Sequence, residues 1–165
     1  MNIEIRTYNG QVFCEEYTND QRQLHREDGP AVISRNKVTL LLEEIHYCIN
    51  GALYRDNDLP AFTSYHYNTE VIEMEKWYFN GKRHRGTKPA AKLYFPDGSI
   101  KTMEWFNHGL RHNLGGAATI HYKRDGTIDN VKYYIDGVMC FSREQYEKEL
   151  ELYGKDYFKI SGRSK

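Results

Sequence analysis

Histidine and arginine return at matched places along this chain, and both residue types can do chemistry. His25, His84 and His112 occupy equivalent positions, and Arg26, Arg55 and Arg85 stand one position further on in their own copies. Three imidazoles invite a metal reading. Successive repeats in a hairpin array, however, lie two strands or about 9–10 Å apart, and each ligating nitrogen must reach a metal at about 2 Å. Side chains in register on neighbouring repeats diverge from that, so no metal site is expected. The imidazoles read instead as loop fasteners that bond backbone or the following Asp. Arginine forks suit phosphates. Arg26, Arg55 and Arg85, with His84, are therefore the candidate set for a small anionic ligand such as a nucleotide.

The carboxylates beside these arginines argue against catalysis. Arg26-Glu27-Asp28 and Arg55-Asp56 belong to a group that recurs from loop to loop, whereas a catalytic site is one constellation. Asp28-Gly29-Pro30 reads as turn chemistry. There is no Gly-x-Ser-x-Gly, His-Glu-x-x-His, P-loop or dinucleotide-binding glycine run. A non-enzyme without a cofactor is expected.

The elements that must position these residues are repeats. Glycine recurs at Gly51, Gly81, Gly109 and Gly137, and the residue four before each is aromatic: Tyr47, Trp77, Trp105 and Tyr133. A second series ends on Ala31, Ala61, Ala90 and Ala118 and stays in phase with the first. The unit is about 28 residues long, and Lys76 to Arg124 holds two near-complete copies. Within it Ala90–Phe95 reads as a strand, Pro96-Asp97-Gly98-Ser99 as a turn, and Ile100–Phe106 as the returning strand. Leu110 to Gly116 reads as a longer polar connection. Each repeat adds two antiparallel strands to a meander.

The flanks differ. Asn2–Tyr8 alternates as a strand, Asn9-Gly10 turns it, and Val12–Tyr17 returns, a strong hairpin pattern. Val38–Leu42 is apolar enough for a covered strand. Ser142 as N-cap with Gln145 three residues on is a capping box. Tyr146, Leu150 and Tyr153 follow at helical spacing, and Gly154 is a natural stop. The expected fold is all-β: an antiparallel meander of repeated β-hairpins closed by a short C-terminal α-helix cap. It forms a single domain over 1–154, with a degenerate hairpin at 1–23, repeats at 24–141, the capping helix at 142–154 and a basic tail at 155–165.

Period-two geometry sorts the faces. Ala90 and Tyr94 share a side, as do Met103 and Trp105, and these apolar matches mark the packed face. The opposite face carries Lys76 and Tyr78, Glu104 and Phe106, Lys132 and Tyr134, and His46 and Cys48. The rungs Tyr78, Phe106 and Tyr134, rimmed by Lys76, Glu104 and Lys132, have the composition of a protein-binding surface. The alternative is that terminal segments or a second copy cover them.

Composition narrows the partners. The 165 residues carry 23 basic and 23 acidic side chains, so the formal net charge is zero. That weighs against nucleic acid and against an electrostatic membrane anchor. Cys14, Cys48 and Cys140 are odd in number and far apart, and read as buried small hydrophobes in a reducing compartment. The alternating polar start does not fit a signal peptide, and no apolar run approaches the roughly 20 residues of a membrane span. The expected location is cytoplasmic, and the expected partner is another protein, or a second copy through a sheet face or edge.

Trp77-Tyr78-Phe79-Asn80-Gly81-Lys82-Arg83-His84-Arg85-Gly86 resembles a MORN repeat: an aromatic, an Asn-Gly turn, then a basic residue, His and Gly. The longer unit ending His25-Arg26-Glu27-Asp28-Gly29-Pro30-Ala31 is similar to a variant found in proteins of tailed phages, bacteria and large DNA viruses. The resemblance spans about residues 24–153. It implies a β-hairpin array with a binding role, since such repeats serve varied protein, lipid and assembly contacts. The second copy departs from the pattern with Tyr54 in place of His and an insertion near Leu59, and the fourth with Asn113 to Gly115. The viral company of the variant implies a phage-encoded inhibitor of a host protein, in the host cytoplasm, with bacterial defence systems as the suggested target.

Overall fold

The computed structural model describes residues 1–161, those from 155 to 161 by their backbone alone. The architecture is an antiparallel β meander with one C-terminal helix. Four hairpins pair in order: β1 (Asn2–Tyr8) with β2 (Gln11–Thr18), β3 (Val32–Arg35) with β4 (Leu42–His46), β7 (Phe62–Tyr65) with β8 (Ile72–Lys76), and β11 (Ala91–Tyr94) with β12 (Ile100–Glu104). β15 (Thr119–Tyr122), β16 (Ile128–Ile135) and β17 (Val138–Cys140) complete an 11-stranded sheet in which chain neighbours are spatial neighbours. Helix α1 spans Arg143–Ser161.

The returning strand does not run on as one piece. It breaks at Tyr47, Trp77 and Trp105, and the chain then forms a two-stranded hairpin outside the main sheet. These small hairpins are β5 (Cys48–Ile49) with β6 (Ala52–Leu53), β9 (Tyr78–Phe79) with β10 (Lys82–Arg83), and β13 (Phe106–Asn107) with β14 (Leu110–Arg111). The expected strand Ile100–Phe106 is thus two strands, and the expected polar connection after Asn107 opens with β14. Asn80-Gly81 has φ of 48° and 70°, and His108-Gly109 has 46° and 94°. Two successive positive φ values are the type I′ turn that matches strand twist, which is why Asn-Gly recurs there.

The break preserves the ladder. Trp77 N–H donates to Ala90 O, Trp105 N–H to Ala118 O, and Tyr47 N–H to Ala61 O. Aromatic and alanine therefore alternate in one row across the sheet, from Tyr17 and Ala31 through Ala118. Ala31, Ala61, Ala90 and Ala118 are all fully buried, and Trp77 is buried beside them.

Two expectations at the margins are corrected. Of the expected strand Val38–Leu42 only Leu42, the first residue of β4, lies in a strand: Asn36 Oδ1 accepts from Val38 N–H (3.0 Å) and Thr39 N–H (3.1 Å), which winds the segment before it into a turn and leaves Val38 exposed. The helix does not stop at Gly154 but continues to Ser161. A mid-helix glycine costs about 1 kcal/mol, and no proline follows it to force an end. The expected tail therefore begins as helix, and residues 162–165 lie outside the described residues. Gln145 N–H donates to Ser142 Oγ (3.1 Å), as the capping box requires, while Gln145 Oε1 accepts from Phe141 N–H (2.8 Å), one residue before the N-cap amide of that pattern.

Candidate functional site

The repeated polar residues are consumed in holding one repeat to the next. His25 Nδ1 accepts from Asn50 N–H (3.1 Å), His84 Nδ1 from His108 N–H (3.4 Å), and His112 Nδ1 from Asp136 N–H (3.0 Å). Each imidazole thus fastens the type I′ turn of the following small hairpin. Among the described residues no group of three His, Cys, Asp or Glu could hold a metal ion.

The arginines are equally engaged. Arg26 stacks on Tyr17 (4.0 Å from guanidinium carbon to ring centroid), Arg55 on Tyr47 (3.7 Å) and Arg85 on Trp77 (3.7 Å). Each also donates to the carbonyl just before the buried alanine: Pro30 O, Pro60 O and Pro89 O. In the fourth copy Asn113 Nδ2 reaches the equivalent Ala117 O at 2.8 Å. Arg26 Nε is 2.9 Å from Asp28, and Arg85 Nε is 2.6 Å from Asp58. Lys88 Nζ is also 2.6 Å from Asp58, and hydrogen bonds from Arg85 and Lys88 hold that carboxyl at about 2. The candidate ligand set Arg26, Arg55, Arg85 and His84 is therefore spread along a structural ladder, with its donors aimed at protein acceptors. A cleft of about 510 Å³ beside Arg26 and Arg55 is also lined by Glu27, Asp28 and Asp56, which disfavour an anion.

The expected partner-binding stripe is corrected in part. Phe106 is 4% exposed and packs on Ala90 and Ala91. Arg83 (4.2 Å) and Arg111 (5.3 Å) cover its ring. Both guanidiniums face Glu104, whose side chain is 12% exposed. Tyr78 and Tyr134 are half-buried, and burial raises the Tyr78 phenol. Lys76 is half-buried with its ammonium 4.6 Å from the Phe62 ring centroid, and burial lowers its pKa. Of the six residues, only Lys132 is exposed. For Phe106 the reason is the strand break, after which β13 turns its ring onto Ala90 and Ala91.

The same turn exposes the opposite face. Phe79 pairs with Lys82 and Leu110 with Asn107, so each of these pairs shares a side of its hairpin, whereas Val138 pairs with Ile135, which is buried against α1. Phe79, Leu110 and Val138 are 46%, 52% and 70% exposed. Successive turns approach one another: a Cβ on Gly109 would lie 3.8 Å from Lys82 Cβ, and one on Gly137 3.3 Å from Leu110 Cδ2. The Phe79 ring lies 6.2 Å from that of His108, which stacks 4.3 Å from His84. Burial, with His108 nearby, lowers the His84 pKa.

At its C-terminal end the strip opens into a cleft of about 370 Å³ between β17 and α1, lined by Ile135, Val138, Cys140, Glu149, Leu152 and Tyr153 among others. Tyr146 anchors the helix there, packing with Ile135 and Cys140, donating to Asn113 O (3.0 Å) and accepting from Gly116 N–H (3.1 Å). Sequence reasoning missed Phe79, Leu110 and Val138 because it extended period two through the aromatic position. The available signal was the Asn-Gly turn itself, whose two-residue loop pairs Phe79 with Lys82.

No family model matches the chain, and no curated protein or solved structure matches it either. No helix among the described residues is long and apolar enough to cross a membrane.

Proposed function

We propose that this protein is a non-catalytic protein-binding module whose partner seats on the outer strip of Phe79, Leu110 and Val138 and the adjoining cleft. The observation that carries this is a set of exposed apolar side chains on successive hairpins whose repeated His and Arg are committed to the scaffold. Exposed apolar patches rimmed by polar residues mark association sites, and aromatic and aliphatic anchors supply most of the binding energy. Lys82, His84 and His108 form the polar rim. The resemblance of the repeat to phage and large DNA virus proteins supports a host protein as the partner and inhibition as the outcome, with a defence factor the first candidate. Nucleotide sequestration lacks such support, because the arginines it needs are stacked and paired.

The test is affinity capture from bacterial lysate with the wild type and with Phe79→Asp/Leu110→Asp/Val138→Asp. A specific protein is retained by the wild type and lost by the triple variant, whose melting temperature stays close to wild type. Capture that survives the triple variant overturns the strip as the docking surface.

A further inference from the structure

β1 is an outer strand of the main sheet among the described residues. It is seven residues long and exposed throughout. It contains neither Pro nor Lys, residues that commonly blunt such an edge. The direction of its free backbone groups follows from the ladder. Tyr17 N–H donates to Ala31 O, and Tyr17 O accepts from His25 N–H, so Tyr17 turns its backbone away from β1. Tyr17 stands opposite Ile3, and Glu15 opposite Ile5. In an antiparallel ladder this alternation points the N–H and C=O groups of Ile3, Ile5 and Thr7 outward. The register shift after Arg6 places its extra residue, Phe13, on β2, so the alternation along β1 is kept.

The side chains add a charge pattern. Glu4 lies directly opposite Glu16, and like charges so placed destabilise a sheet. Arg6 answers both, with Nε 3.0 Å from Glu4 and Nη2 2.7 Å from Glu16. On the other face Ile3 and Ile5 are about half exposed.

We infer that β1 pairs antiparallel with β1 of a second copy about a two-fold axis at Ile5. This register sets Ile5 against Ile5, Ile3 against Thr7 and Glu4 against Arg6. Each Glu4–Glu16 pair then gains a second guanidinium from the partner's Arg6. Moving the axis to Glu4 or to Arg6 sets like charges face to face, and moving it further to Ile3 or Thr7 shortens the paired segment and gives up the Glu4–Arg6 pairs. The contact is isologous and closes as a dimer. It leaves the strip of Phe79, Leu110 and Val138 untouched and does not rest on that reading.

Sedimentation equilibrium of the full chain tests it. The expected mass is twice the 19.5 kDa of one chain. Ile5→Pro removes an outward N–H that the β1–β2 ladder does not use; it is expected to give a monomer with an unchanged circular dichroism spectrum. Glu4→Arg is expected to weaken the dimer by at least about tenfold, and Glu4→Arg with Arg6→Glu to restore it. A wild type of single-chain mass throughout the micromolar range overturns the inference. So does a dimer indifferent to Ile5→Pro, or a charge swap that fails to restore pairing.

Discussion

His84 shows how the same side chain can read as chemistry and serve as carpentry. Its Nδ1 must be unprotonated to accept from His108 N–H, and burial together with His108 lowers its pKa below the ordinary 6.5. The unfolded chain therefore binds the proton more readily than the folded one. The His84 contribution to stability is complete above about pH 6.5 and is lost as the pH falls below that value. Denaturant unfolding from pH 7.5 to 5 is expected to show stability falling with acidity, and His84→Gln to reduce that slope. The structural role of the imidazoles was legible because three of them recur in register. Their donor partner was not, since the bonded amide lies in the next hairpin, 24 or 25 residues away. The arginines were misread as free forks for a related reason: nothing local says that Tyr17, Tyr47 and Trp77 lie beneath them.

At the scale of elements, the small hairpin decides which side chains meet solvent. β13 and β14 press Phe106 onto Ala90 and Ala91 and lift Leu110 outward. Phe106→Ala is therefore expected to cost about 3–5 kcal/mol, as for a large core deletion. Phe79→Ser, one residue along on the matching hairpin, is expected to stay within about 0.5 kcal/mol. Urea unfolding of both variants measures the contrast, and similar costs would contradict the inward turn of this face. The Asn-Gly turns, the β1–β2 hairpin and the capping box were all legible, because each depends on residues within a few positions of one another. The break at Trp77 and Trp105 was not, since an unbroken strand shows the same alternation up to that residue.

In the main sheet each hairpin pairs with the ones before and after it, the arrangement in which stability is expected to be close to a sum of unit and neighbour terms. Tyr146 joins α1 to Ile135, Cys140, Asn113 and Gly116 at one end. Tyr146→Ala is expected to raise hydrogen exchange in β15, β16, β17 and α1 while leaving β1 to β4 close to wild type. Mass spectrometry of exchange measures this, and uniform loss of protection along the sheet would show instead that the array unfolds as one unit.

The sequence alone determined the antiparallel meander, the places of its glycine-anchored turns and the start of the helix at Ser142. These follow from local rules: a type I′ turn needs two residues that accept positive φ, the second of them glycine here, strands alternate, and a helix start needs a side-chain acceptor. Only the tertiary structure decided which face of the small hairpins is exposed and where the repeated His and Arg find their partners. Both depend on the bend at the aromatic residue and on contacts between successive repeats. The His and Arg that opened the chemical reading became the scaffold, and Phe79, Leu110 and Val138 became the surface.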